Sequence, residues 1–358
     1  MKLEPVHELV AYGRTDFYGW PANFGMWRFG DDLLVGFEKG AHHYNGFGFH
    51  AIDHDIPTRK VFARLTPGGE WVHEFPEIPP MPQSGETILA DVPAELLSEK
   101  TALMFQAKGV KGHAISGLYL SNDEGKSWQG PFRVPDFDMY GVAARTDYLV
   151  CDGYFLLGMT GVKPDGDEGT SFAARLWFDG RWEFLGMIGE VPPKWDFRIM
   201  PALARLPDGK LLAATRYARE VDEDEVEGEM PEGLSRTEVF LSEDEGVTWT
   251  YASTIGEVDN DLSGGTPPAV GVNSDGTVVV AYCRRQEPRG VFFTTTRDGK
   301  NWTEPVALRT DAVNTDMGYP RMIIKDDVAY IVYYYCTGEE EPRFVACTRI
   351  SVKGEDLK

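Results

Sequence analysis

Two octapeptides of one pattern constrain this chain most. Segments 121–128 (SNDEGKSW) and 242–249 (SEDEGVTW) both fit S-x-D-x-G-x-[ST]-W, and each follows an apolar stretch typical of a β-strand. Asp and Ser side chains can bond nearby backbone N–H groups and hold a tight turn, and Gly takes a backbone angle that a side chain would resist. A turn motif that recurs along a chain indicates a repeated supersecondary unit.

A second repeat has the form Pro, apolar run, Asp-Gly or Asp-Asp, apolar run. It occurs at Asp208-Gly209, Asp275-Gly276 and Asp326-Asp327, with looser copies at Asp31-Asp32 and Asp152-Gly153. Asp-Gly between two β-rich runs is a strong hairpin signal. Together the repeats divide the chain into six units, at about 18–75, 84–132, 138–188, 194–255, 262–309 and 316–352. Units of about 40 to 60 residues suit four-stranded propeller blades.

The octapeptides resemble the Asp-box of the sialidase-like (BNR repeat) β-propellers. The resemblance implies an all-β fold: a single domain over 1–358, with six four-stranded antiparallel blades joined by Asp-box turns. A count of five or seven blades is the alternative, because the second and third units are the least defined. In that superfamily the Asp-boxes lie away from the catalytic face. The site is therefore expected at the opposite ends of the inner strands.

Composition narrows the function classes. The net charge of −22 argues against binding to nucleic acid and against binding to membranes through a basic patch. No apolar stretch approaches the roughly 20 residues of a membrane span, and no signal core is visible. A cytoplasmic location is expected, or a periplasmic or secreted one if a signal has been removed. The four scattered cysteines indicate buried free thiols. No metal site and no cofactor is expected.

The fourth unit contains the best match to a sialidase site. Its segment 196–201 (DFRIMP) resembles the sialidase F/Y-R-I-P motif with Met200 inserted. The resemblance implies that Arg198 and Arg216 bind a substrate carboxylate, with Asp196 beside them and Asp222 as acid/base. A guanidinium fork can bind both oxygens of a carboxylate. A structural ion pair is the alternative for Arg198, and a solvated acidic loop is the alternative for run 220–229.

The fifth and sixth units add further candidates. Tyr319, in segment 316–321 (DMGYPR), resembles the nucleophilic Tyr of sialidases, and Asp316 and Arg321 flank it as substrate contacts. A Glu should activate this Tyr, but 266–268 (TPP) occupy the corresponding position. Arg284 is predicted to face the site and Arg285 to point outward. Further cations follow other inner strands (Lys108, Arg145 and Lys163), and such a cluster would attract an anionic ligand.

The first unit contributes a histidine-rich loop. His42 and His43 are predicted to act as acid or base, and His50, Asp53, His54 and Asp55 follow them. Imidazole titrates near neutral pH, which suits proton transfer. The spacing fits no zinc motif. A surface loop without catalytic function is the alternative.

These observations favour a carbohydrate-active enzyme, a sialidase-like glycoside hydrolase whose Arg cluster holds the carboxylate of a sialoside or uronate. One alternative is a uronate lyase on the same propeller. The other is a propeller that binds glycans or proteins without catalysis, since a fold does not determine a function. A deep pocket with close Arg, Tyr and carboxyl groups would favour an enzyme, and a flat aromatic face would favour a binding protein.

Overall fold

The computed structural model describes residues 4–82, 89–221, 231–261 and 263–354, and it contains six antiparallel sheets. The sheets follow one another around a ring, because β14 contacts β18, β18 contacts β22, and β22 of the last sheet contacts β3 of the first. The all-β, six-bladed propeller predicted from the repeats is confirmed. No helix in the described segments is long and apolar enough to span a bilayer.

The strands are numbered in chain order. Blade 1 contains β2 (Asp16–Gly19), β3 (Gly25–Phe29), β4 (Asp32–Ala41), β5 (Arg59–Leu65) and β6 (Trp71–Glu74). Blade 2 contains β7 (Ala102–Lys108), β8 (Ile115–Ser121) and β9 (Gln129–Arg133). Blade 3 contains β10 (Tyr148–Cys151), β11 (Tyr154–Val162), β12 (Glu168–Trp177) and β13 (Trp182–Met187).

The second half of the ring is more regular. Blade 4 contains β14 (Asp196–Arg205), β15 (Leu211–Arg219), β16 (Leu234–Ser242) and β17 (Thr250–Asp259). Blade 5 contains β18 (Ala269–Val272), β19 (Val278–Arg284), β20 (Gly290–Thr296) and β21 (Val306–Arg309). Blade 6 contains β22 (Gly318–Lys325), β23 (Val328–Tyr335) and β24 (Phe344–Ser351), and β1 (Val6–Ala11) completes it beside β24.

All five predicted Asp turns join the first and second strands of a blade. Both faces of a blade pack against neighbours, so strands such as β19 read as nearly continuous apolar runs. Between blades 2 and 3, for example, Phe105, Phe155 and Phe172 are fully buried in one cluster. All four cysteines are free thiols, and three of them are buried.

Blades 1 and 2 depart from the regular pattern. In blade 1, β2 and β3 both pair with β4, separated by a short 3-10 helix, Pro21–Asn23, so the inner strand is interrupted. In blade 2 three strands occur among the described residues, and the first of these begins at Ala102; the predicted start of this unit, at 84, lies outside the described residues. This blade lacks an Asp-Gly turn, in agreement with the absence of a described first strand. Four strands per blade are present in blades 3–6.

The two octapeptides form the same turn between the last two strands of blades 2 and 4. Asp123 Oδ1 accepts from Ser127 N at 2.9 Å and Asp244 Oδ1 from Thr248 N at 2.8 Å. In each turn the Asp also accepts from the following hydroxyl, at 2.6 Å. The first Ser of each accepts from the Gly N–H at 2.9 Å. The side chains therefore hold the turn as the sequence pattern indicates.

We expect Asp244→Ala to destabilise the protein in a pH-dependent way. Hydrogen bonds from the Thr248 hydroxyl and backbone N–H lower the pKa of Asp244 from 3.8 to about 2. A depressed folded-state pKa contributes stability above the unfolded value, and this is lost as pH falls through the folded value. The melting temperature of the variant should therefore lie below wild type at neutral pH and approach it between pH about 4 and about 2. Glu243→Ala is the control, and a difference independent of pH would contradict this explanation.

Candidate active site

A central cavity opens at the end of the ring opposite the octapeptide turns. Its volume is about 320 Å³. All six blades and their loops contribute to its walls, which include Asn23, His50, Val110, Arg145, Glu168, Arg216, Glu220, Ser263, Arg285 and Tyr319. The polar groups come from the beginnings of first strands and the loops before them, from the ends of second strands and the loops after them, and from the start of β12. This is the end of the strands at which a site was expected.

Three guanidinium groups, from blades 3, 4 and 5, face this cavity. Arg145 donates to Asn23 Oδ1 at 3.0 Å, and Arg216 donates to the Gly264 carbonyl at 2.7 Å. Arg285 donates to the carbonyls of Ser263 at 2.9 Å and Met317 at 3.2 Å. None of the three arginines has a carboxylate within ion-pair distance in the described segments. Their positive charges are therefore available to a ligand.

Other buried arginines are neutralised by carboxylates. Arg64 pairs with Glu74, Arg198 with Glu238, Arg321 with Asp147 and Arg343 with Asp316. A buried charge without a counter-ion is costly, so buried charges are normally paired. The contrast sets Arg145, Arg216 and Arg285 apart from the structural arginines of this fold.

Tyr319 projects into the same cavity beside Arg216. The Tyr319 hydroxyl oxygen accepts from Arg216 Nη1 at 3.2 Å, which leaves the hydroxyl proton free for another acceptor. Tyr319 has φ +52°, and its inner-strand counterparts Met200 and Trp20 have φ +54° and +55°. Each of the three precedes a proline. Left-handed backbone is unfavourable for bulky residues and tends to occur at functional sites.

The inserted Met200 thus marks a bulge that recurs in blade 6, whereas in blade 1 the same backbone angle at Trp20 precedes the short 3-10 helix. The pairing of β14 with β15 shifts between Ile199 and Ala202, and that of β22 with β23 shifts between Gly318 and Arg321. A bulge redirects side chains near the end of a strand. In blade 6 it is Tyr319 that occupies the shifted position.

Glu168, at the start of β12, adds a carboxyl group. Burial raises the pKa of Glu168 above its usual value, and the charges of Arg216 and Arg145 only partly oppose this shift. The group therefore keeps its proton to higher pH than an exposed Glu, as a general acid requires. The sequence interpretation did not include Glu168, because it follows Asp165 and Asp167 in an ordinary acidic turn.

His50 reaches the cavity from the loop between β4 and β5, with Asp316 directly behind it. His50 Nδ1 lies 2.7 Å from Asp316 Oδ1. Asp316 also accepts from Tyr334 Oη at 2.9 Å, Arg343 Nε at 3.0 Å and the Ala51 N–H at 2.8 Å. Burial alone would raise the pKa of Asp316, but the bonds from His50 and Ala51 and the charge of Arg343 hold it below its usual value. Asp316 is therefore an ionised acceptor beneath His50 and does not line the cavity.

The register of blade 4 separates the two arginines that the sequence grouped. Arg198 is opposite Tyr217, whereas Arg216 is opposite Ile199, so Arg198 and Arg216 project from opposite faces of the blade. Arg198 donates to Glu238 Oε2 at 2.8 Å, deep in the sheet interface. The proposed carboxylate contact is wrong for Arg198, and the alternative of a structural ion pair is the one observed.

Asp196 lies on the same face as Arg198, because β-strand side chains two residues apart share a face. Its carboxylate accepts from Arg219 Nε at 2.6 Å and from the Tyr217 hydroxyl at 2.5 Å. Asp196 is therefore part of this structural network and does not line the cavity.

The choice between the paired arginines of blade 5 is reversed. Arg285 lines the cavity, whereas the guanidinium of Arg284 lies 5.8 Å from the Phe292 ring, outside it. β19 ends at Arg284, so Arg285 lies in the loop that follows the strand.

Arg321 also lies outside the central cavity. Its Nη1 donates to Asp147 Oδ2 at 2.9 Å and its Nη2 to the Ala22 carbonyl at 2.6 Å, in the channel beneath the cavity. Lys163 donates to backbone carbonyls, including that of Lys194 at 2.9 Å. Arg321 and Lys163 therefore stabilise the fold and do not line the cavity.

The predicted histidines are not the ones in the cavity. His42 contacts the Ala51 and Glu340 carbonyls, and His43 is exposed. Neither lines the cavity, whereas His50 of the same loop does. Asp222 lies outside the described residues. Of the catalytic and substrate-binding residues predicted from the sequence, Arg216 and Tyr319 line the cavity.

Comparison with solved structures places the architecture. A protein of unknown function from Dyadobacter fermentans DSM 18053 superimposes with a TM-score of 0.74 at 17% identity, covering 99% of both chains. The α-L-arabinofuranosidase Arb93A of Fusarium graminearum gives a TM-score of 0.61 at 13% identity, covering 97% of this chain and 99% of that one. The fold is that of the arabinofuranosidase and sialidase propellers.

A mutant sialidase of Trypanosoma rangeli that displays trans-sialidase activity gives a TM-score of 0.58 at 13% identity. It covers 97% of this chain, which spans 59% of the sialidase chain. No protein-family model and no curated protein matches the sequence. At these identities the likeness to sialidase-fold proteins establishes the architecture, and the chemistry must be argued from the cavity.

Proposed function

We propose that this protein is a glycoside hydrolase that acts on a sugar bearing a carboxylate. The observation that carries the proposal is the set of three cavity guanidiniums, Arg145, Arg216 and Arg285, without carboxylate partners in the described segments. A carboxylate of the substrate would supply the missing counter-charge, and guanidinium forks match its two oxygens. Neighbours of the same fold include a sialidase and an arabinofuranosidase, both of which are glycoside hydrolases.

The remaining groups suit cleavage of a glycosidic bond. Tyr319 provides a hydroxyl whose oxygen is held by Arg216 and whose proton is free, so it is our candidate nucleophile. Glu168 provides a proton for the leaving oxygen, because burial raises its pKa. A cavity lined by Arg, Tyr and carboxyl groups favours an enzyme over a protein that only binds its ligand.

A substrate panel tests the proposal. Aryl glycosides of sialic acid, glucuronic acid and galacturonic acid are compared with an aryl α-L-arabinofuranoside, the neutral sugar suggested by the Arb93A likeness. We expect release of the aryl alcohol from an acidic glycoside and little from the neutral one. Cleavage of the arabinofuranoside alone would contradict an anion-binding role for the arginines.

Glu168→Gln should lower kcat by about 10²-fold or more, the range contributed by general acid catalysis. The amide preserves the shape but has no proton to give. The loss should be smaller for an aryl glycoside with a good leaving group than for a poor one, since only the poor one needs protonation. Glu190→Gln, outside the cavity lining, is the control. An equal loss for both leaving groups would argue against an acid role.

A uronate lyase is the second candidate, because a histidine backed by a carboxylate lies in the same cavity as Tyr319 and the arginines. The arginines would neutralise the uronate carboxylate while a base removes the proton next to it. Elimination creates a carbon–carbon double bond conjugated to the carboxylate, so its product absorbs in the ultraviolet. Incubation with polyuronates separates the two reactions, because hydrolysis leaves the absorbance unchanged.

A further inference from the structure

We propose that His50 is the residue that takes the proton from the nucleophile, and that Asp316 positions it. The inference rests on the proposed function and adds the general base of the reaction to it. His50 and Tyr319 line the same cavity of about 320 Å³. The side chain of His50 is 42% exposed, whereas that of Asp316 is fully buried beneath it. The imidazole therefore has one nitrogen on a buried anion and one side open to the cavity.

The hydrogen bonds fix which nitrogen carries the proton. An ionised carboxylate can only accept, so His50 Nδ1 must donate across the 2.7 Å contact to Asp316 Oδ1. Nε2, which has no hydrogen-bond partner in the described part of the chain, is then the basic nitrogen. Trp20 contacts the imidazole edge-on at a centroid distance of 5.0 Å and restricts its rotation. A carboxylate that fixes the tautomer and orientation of a histidine is how catalytic triads prepare a base.

The network connects the imidazole to the arginines. Tyr334 donates to Asp316 Oδ1 at 2.9 Å, and its hydroxyl oxygen accepts from Arg285 Nη2 at 3.4 Å. The Tyr319 ring lies edge-on to the Tyr334 ring, 6.1 Å between centroids. Charged and titratable groups that share the network or the cavity with His50 are Asp316, Arg343, Tyr334, Arg145, Arg216, Arg285, Glu168, Glu220 and Tyr319. His50 is thus tied through two side chains to a proposed carboxylate-binding arginine.

The proton movements balance in two steps. In the first, the Tyr319 oxygen bonds to the anomeric carbon and its proton passes to His50 Nε2, while the glycosidic bond breaks and its oxygen takes the proton of Glu168. In the second, water bonds to the anomeric carbon and gives its proton to the Glu168 carboxylate. The bond to Tyr319 breaks as the water bonds to the carbon, and the imidazolium returns its proton to the tyrosine oxygen. The enzyme is restored and one water is consumed.

Kinetics on the best acidic glycoside test the proposal. We expect His50→Gln and His50→Ala to lower kcat by about 10²- to 10⁴-fold with little change in KM. Added imidazole should partly restore His50→Ala. His43→Gln, an exposed histidine of the same loop, is the matched control and should behave as wild type. Asp316→Asn should move the acidic limb of the kcat/KM profile to lower pH, because loss of the negative charge disfavours the imidazolium.

Each result separates the two levels of the proposal. If His50→Gln keeps wild-type kcat and pH profile while Arg285→Ala loses activity, the base assignment fails and the proposed function stands. If neither variant loses activity, both fail. Nitrogen-15 NMR of His50 gives a readout without turnover: in its neutral form the imidazole of the wild type should carry its proton on Nδ1. An Nε2–H tautomer would overturn the role of Asp316.

Discussion

Arg285→Ala should reduce kcat/KM for an acidic glycoside by about 10²- to 10³-fold, the range seen when one member of a buried charged pair is removed. Arg285 is 7% exposed and is anchored by the carbonyls of Ser263 and Met317, so its guanidinium is already oriented before substrate binds. Pre-oriented charge is effective because no ordering is needed on binding. The loss should appear largely in KM if the contact is made equally in the ground and transition states.

The neighbouring residue supplies the control. Arg284→Ala removes the same charge from the same strand end, but Arg284 lies against Phe292 outside the cavity. We expect kcat/KM for that variant within about threefold of wild type, since it makes no ligand contact. Melting temperatures of both variants check folding. Equal losses of activity in the two would show that general positive charge, rather than the cavity contact, matters.

The largest effect on stability is expected for Arg343→Met. The side chains of Arg343 and Asp316 are both fully buried and lie 3.0 Å apart. Removing the cation leaves the buried Asp316 carboxylate without its guanidinium partner, and breaking a buried ion pair in this way costs about 3–5 kcal/mol in the free energy of unfolding. Arg343 also donates to the carbonyls of Glu339 and Glu341, which would lose their partner. Chemical denaturation measures the difference.

Two further variants sharpen that measurement. Arg349→Met breaks a partly exposed pair with Glu8 and should cost about 1 kcal/mol or less. Asp316→Asn combined with Arg343→Met removes both charges, so the double variant should be more stable than the sum of the single changes predicts. Additive losses would show that the two side chains act independently.

Much of the architecture could be predicted from local signals. Asp208-Gly209 and Asp275-Gly276 form the hairpins that they indicate, because turn chemistry is decided within a few residues. The inner part of blade 2 was not predictable in the same way, since this blade has no such turn. Its β7 instead receives contacts from other blades: the Leu103 carbonyl accepts from Trp27, and the Leu103 N–H donates to the Tyr148 hydroxyl.

The site was harder to predict, because it depends on register and on distant contacts. A shift of one residue moves a side chain to the other face of a strand, which is why Arg198 and Arg284 were predicted to face the cavity although both lie outside it. The bulge at Met200 was visible in the sequence as an insertion, but the direction in which it turns the neighbouring side chains could not be predicted. His50 and Asp316 are 266 residues apart, and no local pattern connects them.

The pairing of β1 with β24 has a consequence for how this chain is made. Val6 lies opposite Arg349, so the outermost strand of blade 6 is supplied by the first part of the chain and its partner by the last. During synthesis blades 1 to 5 can form in order, while β1 must wait for β24 to emerge before the ring closes. A circular permutant that carries the β1 segment after β24 would make every blade from consecutive sequence. It should keep the same cavity, and blade 6 should form before the ring closes, because the pairing of β1 with β24 becomes local.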